Sequence, residues 1–576
     1  MELIKKIIVS ILVIAGIAIA GVIICAGVLI VFPDTKIFGI SYMSTTVNDP
    51  EQALVSEINI SNLRTAKDGE KAEEITGYTI EIDAGNYDVE LLVKDEGEEQ
   101  IYTEFKSNVK GFVKELDSNK KAKLSYTNDD TNKKIKFTVE EPNGLFFVRD
   151  TVLTIKIPRS FLNKNIDIIS TTNKGITYFG ESGKEITVHN ATVSCQSAKG
   201  GVDLEYAQIS GDLDIKNILG RINVKNEIKG KVTIDSTIGT YTFGKVNELV
   251  VVAGDDGRTN NPSITLSECN SVKWTSDSGS LKVTNCILDD IQVDTDSANF
   301  DIARTIKKVD IAGKSSDVHI GQVGSFETDS TTVYNSFDWV NSPTSTMEVV
   351  TVDAGSGNIT IDRSYCKLSL TTTKGKISVK NAMREVVAGT KTGSISVDFI
   401  DTSSTLNEEL DENKKPTTAE GTLNQFINNN FITYLASENS IKSLEINTES
   451  GVVIVNNIVN SVDIVAQSSP ITLNYKRVKN ASNISTSSKA VTIKAPISDF
   501  KLVTKMDKNS SAKLEIEFGA LVMNSYDDEI PDTTRMNKYY DDEYKYLNVL
   551  VGNASNSTND VITVTNTTGK ISAKSC

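Results

Sequence analysis

A five-residue unit recurs at intervals of 18 residues in the middle of the chain, and this stretch decides the fold: Gly357-Asn358-Ile359-Thr360-Ile361, Gly375-Lys376-Ile377-Ser378-Val379 and Gly393-Ser394-Ile395-Ser396-Val397. A similar apolar pair, Leu368 and Leu370, lies halfway between two of these units, so the basic period is nine residues. Alternate side chains of a β-strand face the same way. Each unit therefore predicts a short strand that is apolar on its inner side and polar on its outer side.

The same period continues on both sides of this stretch, in residues 202–243, 281–320 and 444–502. A single nine-residue unit cannot bury its own apolar pair, whereas stacked units form continuous apolar ladders. The sequence therefore predicts an all-β fold, a parallel β-solenoid over residues 171–505 with coils of about 18–20 residues. The alternative is a set of antiparallel β-sandwiches, whose strands rarely keep a strict nine-residue period.

The N-terminus predicts a single transmembrane helix. No charged residue occurs from Ile7 to Phe32, and 26 residues in a helix are long enough to cross the apolar core of a bilayer. Lys5 and Lys6 precede this segment, so residues 1–6 are expected in the cytoplasm and the rest outside the cell membrane. The alternative is a cleaved signal peptide with the site Ala18-Ile19-Ala20.

Composition excludes several classes of function. The net charge is −16, which argues against a nucleic-acid partner because phosphates require clustered positive charge. The chain has only two histidines, and its six cysteines are scattered, so neither a metal site nor a dense disulfide framework is expected. Cys269 and Cys286 are 17 residues apart, which places them on neighbouring coils if the solenoid prediction holds.

Segments that lack the nine-residue period define the remaining organisation. Residues 33–170 predict an irregular, β-rich N-terminal cap region, and insertions interrupt the solenoid near 325–346 and 401–440. A short amphipathic helix is possible within 423–435. Residues 506–576 form a C-terminal cap with an acidic, tyrosine-rich loop, whose candidate ligand-contact residues are Tyr526, Tyr539, Tyr540, Tyr544 and Tyr546. The alternative is that these tyrosines cover the open end of the solenoid.

The order of the motifs resembles a known family. A strand ending in Ile157-Pro158 leads into residues 166–175, and repeated Gly-x-Ile-x-Val units such as Gly393 to Val397 follow. This arrangement resembles the bacterial putative-adhesin domains, a domain family of unknown function, over roughly residues 78–505. The resemblance implies an extracytoplasmic β-solenoid behind one membrane helix. It implies no catalytic residues.

Known catalytic, cofactor-binding and metal-binding motifs are absent from the sequence, so we expect no enzyme activity and no cofactor. Asp255, Asp256 and Arg258 share a glycine-containing loop and would be the acidic residues of a polysaccharide-acting enzyme. An exposed turn is the simpler interpretation of this loop. His189 and His319 are interpreted as ordinary outward-facing histidines beside strands.

The leading functional prediction is a membrane-anchored binding protein, an adhesin or envelope-interaction module whose ligand is a surface glycan or a protein. The first alternative is a structural or regulatory envelope protein that acts through a membrane partner, since residues 1–6 are too few to signal alone. A polysaccharide-acting enzyme is the second alternative. An intracellular filament former is the third, and it conflicts with the orientation that Lys5 and Lys6 predict. Oligomeric state and ligand identity do not follow from the sequence.

Overall fold

The computed structural model describes residues 2–33, 35–54, 78–95, 100–113, 122–129, 131–140, 144–159, 166–224, 226–254, 259–324, 350–364, 366–382, 384–399 and 444–576. The chain divides into two compact units, Met1–Asn247 and Glu248–Cys576. One helix, α1 (Glu2–Val31), opens the first unit, close to the predicted helix at 7–32. Its stretch Ile14–Val31 is long and apolar enough to cross a membrane, as judged by length and composition.

Strands dominate the rest of the described chain. They are β1 (Ser41–Ala53), β2 (Tyr78–Gly85), β3 (Asp88–Lys94), β4 (Tyr102–Val113), β5 (Lys123–Asp129), β6 (Lys134–Glu140), β7 (Gly144–Pro158), β8 (Ile166–Thr172), β9 (Ile176–Phe179), β10 (Ile186–Val188), β11 (Ala191–Asp203), β12 (Ala207–Ile209), β13 (Leu213–Val224), β14 (Ile228–Val251), β15 (Asn261–Trp274), β16 (Ser280–Thr295), β17 (Asn299–Thr305), β18 (Lys308–Gly313) and β19 (Val318–Val323). They continue with β20 (Val350–Asp353), β21 (Ile359–Ile361), β22 (Leu368–Thr372), β23 (Ile377–Ala382), β24 (Val386–Thr390), β25 (Ile395–Phe399), β26 (Leu444–Thr448), β27 (Val453–Ile458), β28 (Val462–Ala466), β29 (Ile471–Tyr475), β30 (Ala481–Thr486), β31 (Val491–Ala495), β32 (Phe500–Asp507), β33 (Leu514–Phe518), β34 (Leu521–Met523), β35 (Met536–Tyr540), β36 (Tyr544–Val551), β37 (Val561–Asn566) and β38 (Ile571–Ser575).

The predicted parallel solenoid is confirmed. From β17 to β29, each strand pairs in parallel with the strand two positions further along the chain, so that Ile359 lies opposite Ile377 and Ile377 opposite Ile395. The offset of 18 residues is one coil of two strands, and the antiparallel-sandwich alternative does not describe these ladders. One inner row has side chains that are each at most 1% exposed: Ile359, Ile377, Ile395, Val453, Ile471, Val491 and Ile571. Each such side chain stabilises the fold by about 1.5–3 kcal/mol.

The turn between the two strands of a coil has its own motif. Thr372 is buried at the end of β22, and its hydroxyl accepts a hydrogen bond from the Gly375 N–H at 3.1 Å. The same hydroxyl lies 2.8 Å from the Gly355 carbonyl and 2.9 Å from the Gly357 carbonyl, either of which accepts its hydrogen. Thr390 and Gly393 repeat the bond one coil later at 3.0 Å. A buried threonine three residues before a glycine is therefore the corner of the coil.

The chain does not stack its coils strictly in sequence order. In the second unit β37 pairs in parallel with both β30 and β32, while β38 pairs with both β31 and β33. The C-terminal strands therefore form a coil inserted between two earlier ones. In the first unit β2 lies between β6 and β8, and β3 lies between β7 and β9, again with parallel pairing.

Antiparallel strands close the ladders beyond these inserted coils. β36 pairs with β32 and β34 pairs with β33 in the second unit, while β4 pairs with β7 and β5 pairs with β6 in the first unit. The sequence analysis placed residues 33–170 and 506–576 in caps. The structure places β2 and β3 from the former range and β37 and β38 from the latter within the parallel ladders.

The positions of the cysteines can be compared with the expectation of neighbouring coils. Cys269 and Cys286 do lie on neighbouring paired strands, offset by one residue because Cys269 is opposite Ile287. All six cysteines lie in the described ranges, and none of them forms a disulfide. The insertions near 325–346 and 401–440, with the possible helix at 423–435, lie outside the described residues.

Candidate functional site

The tyrosine-rich loop of the sequence analysis contains a β-hairpin of the second unit. β35 and β36 pair antiparallel, and β36 also pairs antiparallel with β32, so the hairpin extends one of the ladders. The Asp541 carboxylate fixes the turn between the strands, because it accepts hydrogen bonds from the N–H groups of Glu543 at 2.9 Å and Tyr544 at 2.6 Å. An aspartate in this role supports a tight turn without help from other elements.

One side of the hairpin carries a cluster that we call the tyrosine face: Lys505, Tyr539, Tyr544 and Tyr546. Tyr546 lies opposite Tyr539 on one neighbouring strand and opposite Lys505 on the other. The rings of Tyr539 and Tyr546 stack with centroids 4.4 Å apart and planes 5° from parallel. Tyr544 meets Tyr546 edge-on at 6.4 Å, and the Lys505 Nζ lies 3.9 Å from the Tyr544 ring centroid. Stacking and cation–π contacts hold these rings in a fixed arrangement.

Tyr526 and Tyr540 lie on the other side of the hairpin. The Tyr526 side chain is only 3% exposed, and its hydroxyl is 2.9 Å from the Tyr546 carbonyl and 3.3 Å from the Tyr539 carbonyl. Tyr540 is 60% exposed, and its ring meets the Tyr526 ring edge-on at 5.6 Å. Tyr526, a candidate ligand contact in the sequence, is thus buried and supports the hairpin backbone.

Hydrogen bonding and burial keep the phenols of Tyr546 and Tyr526 neutral near neutral pH. The Tyr546 hydroxyl donates to Asp541 Oδ2 at 2.6 Å, and this bond raises the pKa of Tyr546 to about 12. The same bond lowers the pKa of Asp541 below its ordinary value. Burial raises the pKa of Tyr526. The tyrosine face therefore combines apolar ring surface with an ammonium group, and the Asp541 carboxylate borders it.

A second polar surface of the second unit was missed by sequence reasoning. His319 lies between two carboxylates, with its Nδ1 2.9 Å from Asp301 Oδ1 and its Nε2 3.0 Å from Asp362 Oδ2. Lys282 and Lys380 flank these carboxylates at 3.5 and 3.0 Å. Asp301 precedes His319 by 18 residues, one coil, and this offset is the signal that would have revealed the pair. The interpretation of His319 as an ordinary outward-facing histidine omitted these partners.

This histidine borders a groove of about 600 Å³ on the outer side of the ladder. The groove also contains a row of side chains that hold successive coils together. Asn299 Oδ1 accepts from the Asp317 N–H at 3.1 Å, and Asp317 Oδ1 accepts from the Asn358 N–H at 2.8 Å. Asn358 Oδ1 then accepts from the Lys376 N–H at 2.9 Å. These side-chain oxygens accept hydrogen bonds from the backbone of the next coil, so their role is to connect the coils.

The remaining sequence candidates are His189, Asp255, Asp256 and Arg258. His189 Nδ1 lies 3.3 Å from Asp167 Oδ1 in the first unit. Asp255, Asp256 and Arg258 fall outside the residues that the structure describes. Within the part of the chain that is described, no group of three or more His, Cys, Asp or Glu side chains is arranged to hold a metal ion.

Fold and site together define the class: a parallel β-solenoid protein that begins with one apolar helix and carries an outward aromatic cluster on a terminal hairpin. The model of the Toastrack DUF4097 family matches residues 78–404, more than half of the chain, and the chain therefore belongs to the Toastrack DUF4097 family. This is a domain family of unknown function. The expected membership of such a β-solenoid family is confirmed.

A solved structure titled a "putative cell adhesion protein" from Clostridium sporogenes is similar at 10% sequence identity, covering 59% of this chain and 99% of that chain, with a TM-score of 0.15. No curated protein matches the chain.

Proposed function

We propose that this chain is a membrane-anchored, extracytoplasmic binding protein and that the tyrosine face holds its ligand. The observation that carries the proposal is the stacked, outward pair of Tyr539 and Tyr546, with Tyr539 41% exposed. A preorganised aromatic pair loses little side-chain entropy on binding, and tyrosine supplies both ring area and a polar tip.

The chemistry of the site favours a glycan. A sugar ring presents an apolar C–H face that packs on an aromatic plane, and its hydroxyls need donors and acceptors around the edge. The Asp541 carboxylate accepts from the Tyr546 hydroxyl, while the Lys505 ammonium stands over Tyr544, so both kinds of polar group border the rings. We expect binding without turnover, because the site has no acid–base pair.

The membrane anchor is the second part of the proposal. Lys5 and Lys6 precede the apolar part of α1, which supports a cytoplasmic N-terminus and an extracytoplasmic Toastrack domain. A signal anchor predicts that the mature protein keeps its N-terminal residues, whereas a cleaved signal peptide predicts their loss. Mass spectrometry of the protein purified from membranes distinguishes these two outcomes. Protease added to intact cells should digest the domain.

The binding test uses residues 37–576 on a panel of cell-wall glycans, host glycans and matrix proteins, with retention and product release scored in the same wells. We expect saturable retention on a glycan surface without new reducing or unsaturated ends. Replacing both Tyr539 and Tyr546 by Ala should weaken retention about tenfold or more. Tyr126→Ala is the matched control, because Tyr126 is 40% exposed on β5 of the first unit.

Each other result has a definite meaning. Equal retention by the double variant and by the control would show that the ligand does not bind at the tyrosine face. Retention on matrix protein alone would change the ligand class to protein. Product release would indicate an enzyme. Retention on no surface would favour the alternative of a structural or regulatory protein that acts through a membrane partner.

A further inference from the structure

The first unit has an exposed apolar end beside the chain segment that follows α1. We define the apolar end as Phe38, Ile40, Tyr42, Phe112, Leu145 and Phe147. The rings of Tyr42, Phe112 and Phe147 form a cluster with centroids 5.9–6.2 Å apart, on strands β1, β4 and β7. Leu145 is 78% exposed and Phe147 is 57% exposed, so this cluster faces outward. Contiguous exposed apolar surface marks a contact with a partner or a membrane.

Phe38 is presented by an unusual turn. Ile37 and Ile40 exchange two backbone hydrogen bonds of 2.9 Å, which leaves Phe38 and Gly39 as the two residues of a tight hairpin turn. Phe38 has φ of 51° and Gly39 has φ of 77°, values of the left-handed region that such a turn requires. A phenylalanine is rare in this conformation. The turn holds its ring 95% exposed, a costly arrangement in water.

Position along the chain identifies what covers this surface. Phe38 follows the last residue of α1, Val31, by only seven residues. A groove of about 860 Å³ lies between α1 and the apolar end, and its lining includes Gly21, Cys25 and Leu29 from the helix and Ile40, Phe112 and Leu145 from the strands. All of its lining side chains are apolar or glycine. Because α1 is proposed to cross the membrane, we expect the strand residues that share this groove with it to lie beside lipid.

We propose that the apolar end is seated in the interfacial layer of the bilayer that α1 crosses, with lipid acyl chains filling the groove. Aromatic side chains favour this layer, and apolar faces enter it to a depth of about 5–10 Å. Lys36 and Lys110 each precede a member of the patch by two residues in sequence, Phe38 and Phe112, and an ammonium group near such a patch can meet lipid phosphates. The inference rests on the proposed membrane anchor, and it adds a second contact that fixes the first unit against the membrane surface.

The test uses the full chain in vesicles of phosphatidylcholine and phosphatidylglycerol, prepared with and without bromine on the acyl chains. Tryptophan fluorescence is quenched where bromine is in contact with the ring. The reporter is Phe147→Trp, because Phe147 is far from α1 in sequence and is not brought near the membrane by a short tether. We expect brominated lipid to reduce its fluorescence at least about twofold. The signal of Trp274 and Trp339 is subtracted with the unsubstituted chain.

Two matched reporters make the result unambiguous. The first reporter is Val22→Trp, since Val22 is a residue of α1. The second is Ile238→Trp, since the Ile238 side chain on β14 is 55% exposed. Four strands lie between β7 and β14 in the ladder: β3, β9, β11 and β13. At about 4.8 Å per strand spacing, β14 is therefore about 24 Å from β7. We expect quenching at Val22→Trp and none at Ile238→Trp.

Quenching at Val22→Trp without quenching at Phe147→Trp would overturn this inference and leave the anchor intact. Absence of quenching at Val22→Trp would overturn the anchor and this inference together. Equal quenching at Phe147→Trp and Ile238→Trp would also overturn the inference, since it would show lipid contact that is not specific to the apolar end.

Discussion

At the residue scale, the corner glycines hold the coils at their spacing. A Cβ atom placed on Gly375 would lie 1.7 Å from the Gly357 carbonyl oxygen, and one on Gly393 would lie 1.7 Å from the Gly375 oxygen. Real side chains never approach a backbone oxygen so closely, so neighbouring coils would have to move apart. The recurring glycine thus reflects contact between coils at the corner.

Gly375→Ala should lower the free energy of unfolding by about 2 kcal/mol or more, because the clash is with backbone that cannot rotate away. Chemical denaturation followed by circular dichroism measures this change. Gly389→Ala is the matched control, since its Cβ would meet Thr371 Cγ2 at 3.6 Å, an ordinary contact. The control should be neutral or slightly stabilising. Equal effects of the two substitutions would contradict the corner argument.

His319 predicts a pH dependence. Its hydrogen bond with Asp362, followed by that with Asp301, raises the pKa of His319 above its ordinary value, while burial opposes the rise. The pKa values of Asp301 and Asp362 are both lowered, so these carboxylates are ionised wherever the histidine titrates. The protonated histidine therefore stabilises the fold below pH 6.5, the value of the unfolded chain, and this contribution is lost as the pH rises through the folded pKa.

Asp362→Asn should move the pKa of His319 down towards its ordinary value. Titration of the histidine ring signals by NMR measures the shift, and His189→Gln assigns the signal because the chain has only two histidines. In parallel, the stability difference between the wild type and His319→Gln should be largest below pH 6.5 and should disappear at alkaline pH. A difference that grows with rising pH would have the wrong sign for this arrangement.

At the element scale, the inserted coil of the second unit keeps β37 and β38 away from the edge of the ladders. A terminal strand at the edge of a ladder has one hydrogen-bonded neighbour, whereas β37 and β38 each have two. The edges are formed instead by antiparallel strands such as β34 and β35. An antiparallel edge with charged residues, here Lys538 on β35, discourages the addition of further strands.

Removing residues 556–576 should destabilise the strands that β37 and β38 contact in the second unit. β32 and β33 would lose their parallel partners, and the tyrosine face would be lost as well because β36 pairs with β32. We expect proteolysis within residues 500–551 to become about tenfold faster or more, measured by limited digestion and mass spectrometry. Deletion of Cys576 alone is the control. Unchanged proteolysis after the longer truncation would contradict the inserted-coil arrangement.

At the scale of the whole molecule, stability comes from stacked coils without covalent links. All six cysteines are thiols, and Cys195, Cys269, Cys286 and Cys366 are at most 1% exposed. Burial raises the pKa of Cys269 to about 12 and that of Cys366 to about 11. Since the thiolate is the reactive form, both groups should be inert in the folded protein.

Alkylation of the native full chain should therefore modify Cys576, which is exposed, and leave the four buried thiols intact. Their modification by a pulse of reagent at increasing denaturant then reports where the array opens, because coils of a repeat protein depend mainly on their neighbours. Mass spectrometry locates each modified residue, and fully denatured protein is the reference for complete reaction. Fast modification of Cys269 without denaturant would contradict the buried position.

The local period allowed the solenoid to be predicted from the sequence. Where no insertion intervenes, neighbouring coils are about 18 residues apart in the chain, so strand positions, inward side chains and corner glycines such as Gly357, Gly375 and Gly393 all appear as a short repeat. The apolar stretch of α1 could also be predicted from the sequence. Its length, which is sufficient to cross a membrane, depends only on consecutive residues of one segment.

Only the tertiary structure decided which strands become neighbours out of order. β37 pairs with β30 across 80 residues, His319 meets Asp362 across 43, and the aromatic rings of the apolar end come from β1, β4 and β7. Tyr526 and Tyr539 look alike in the sequence, yet one supports the hairpin and the other is exposed. These differences depend on contacts between segments that are distant in the chain. The free energy of such contacts depends on how the whole domain packs, so it produces no repeating pattern in the sequence.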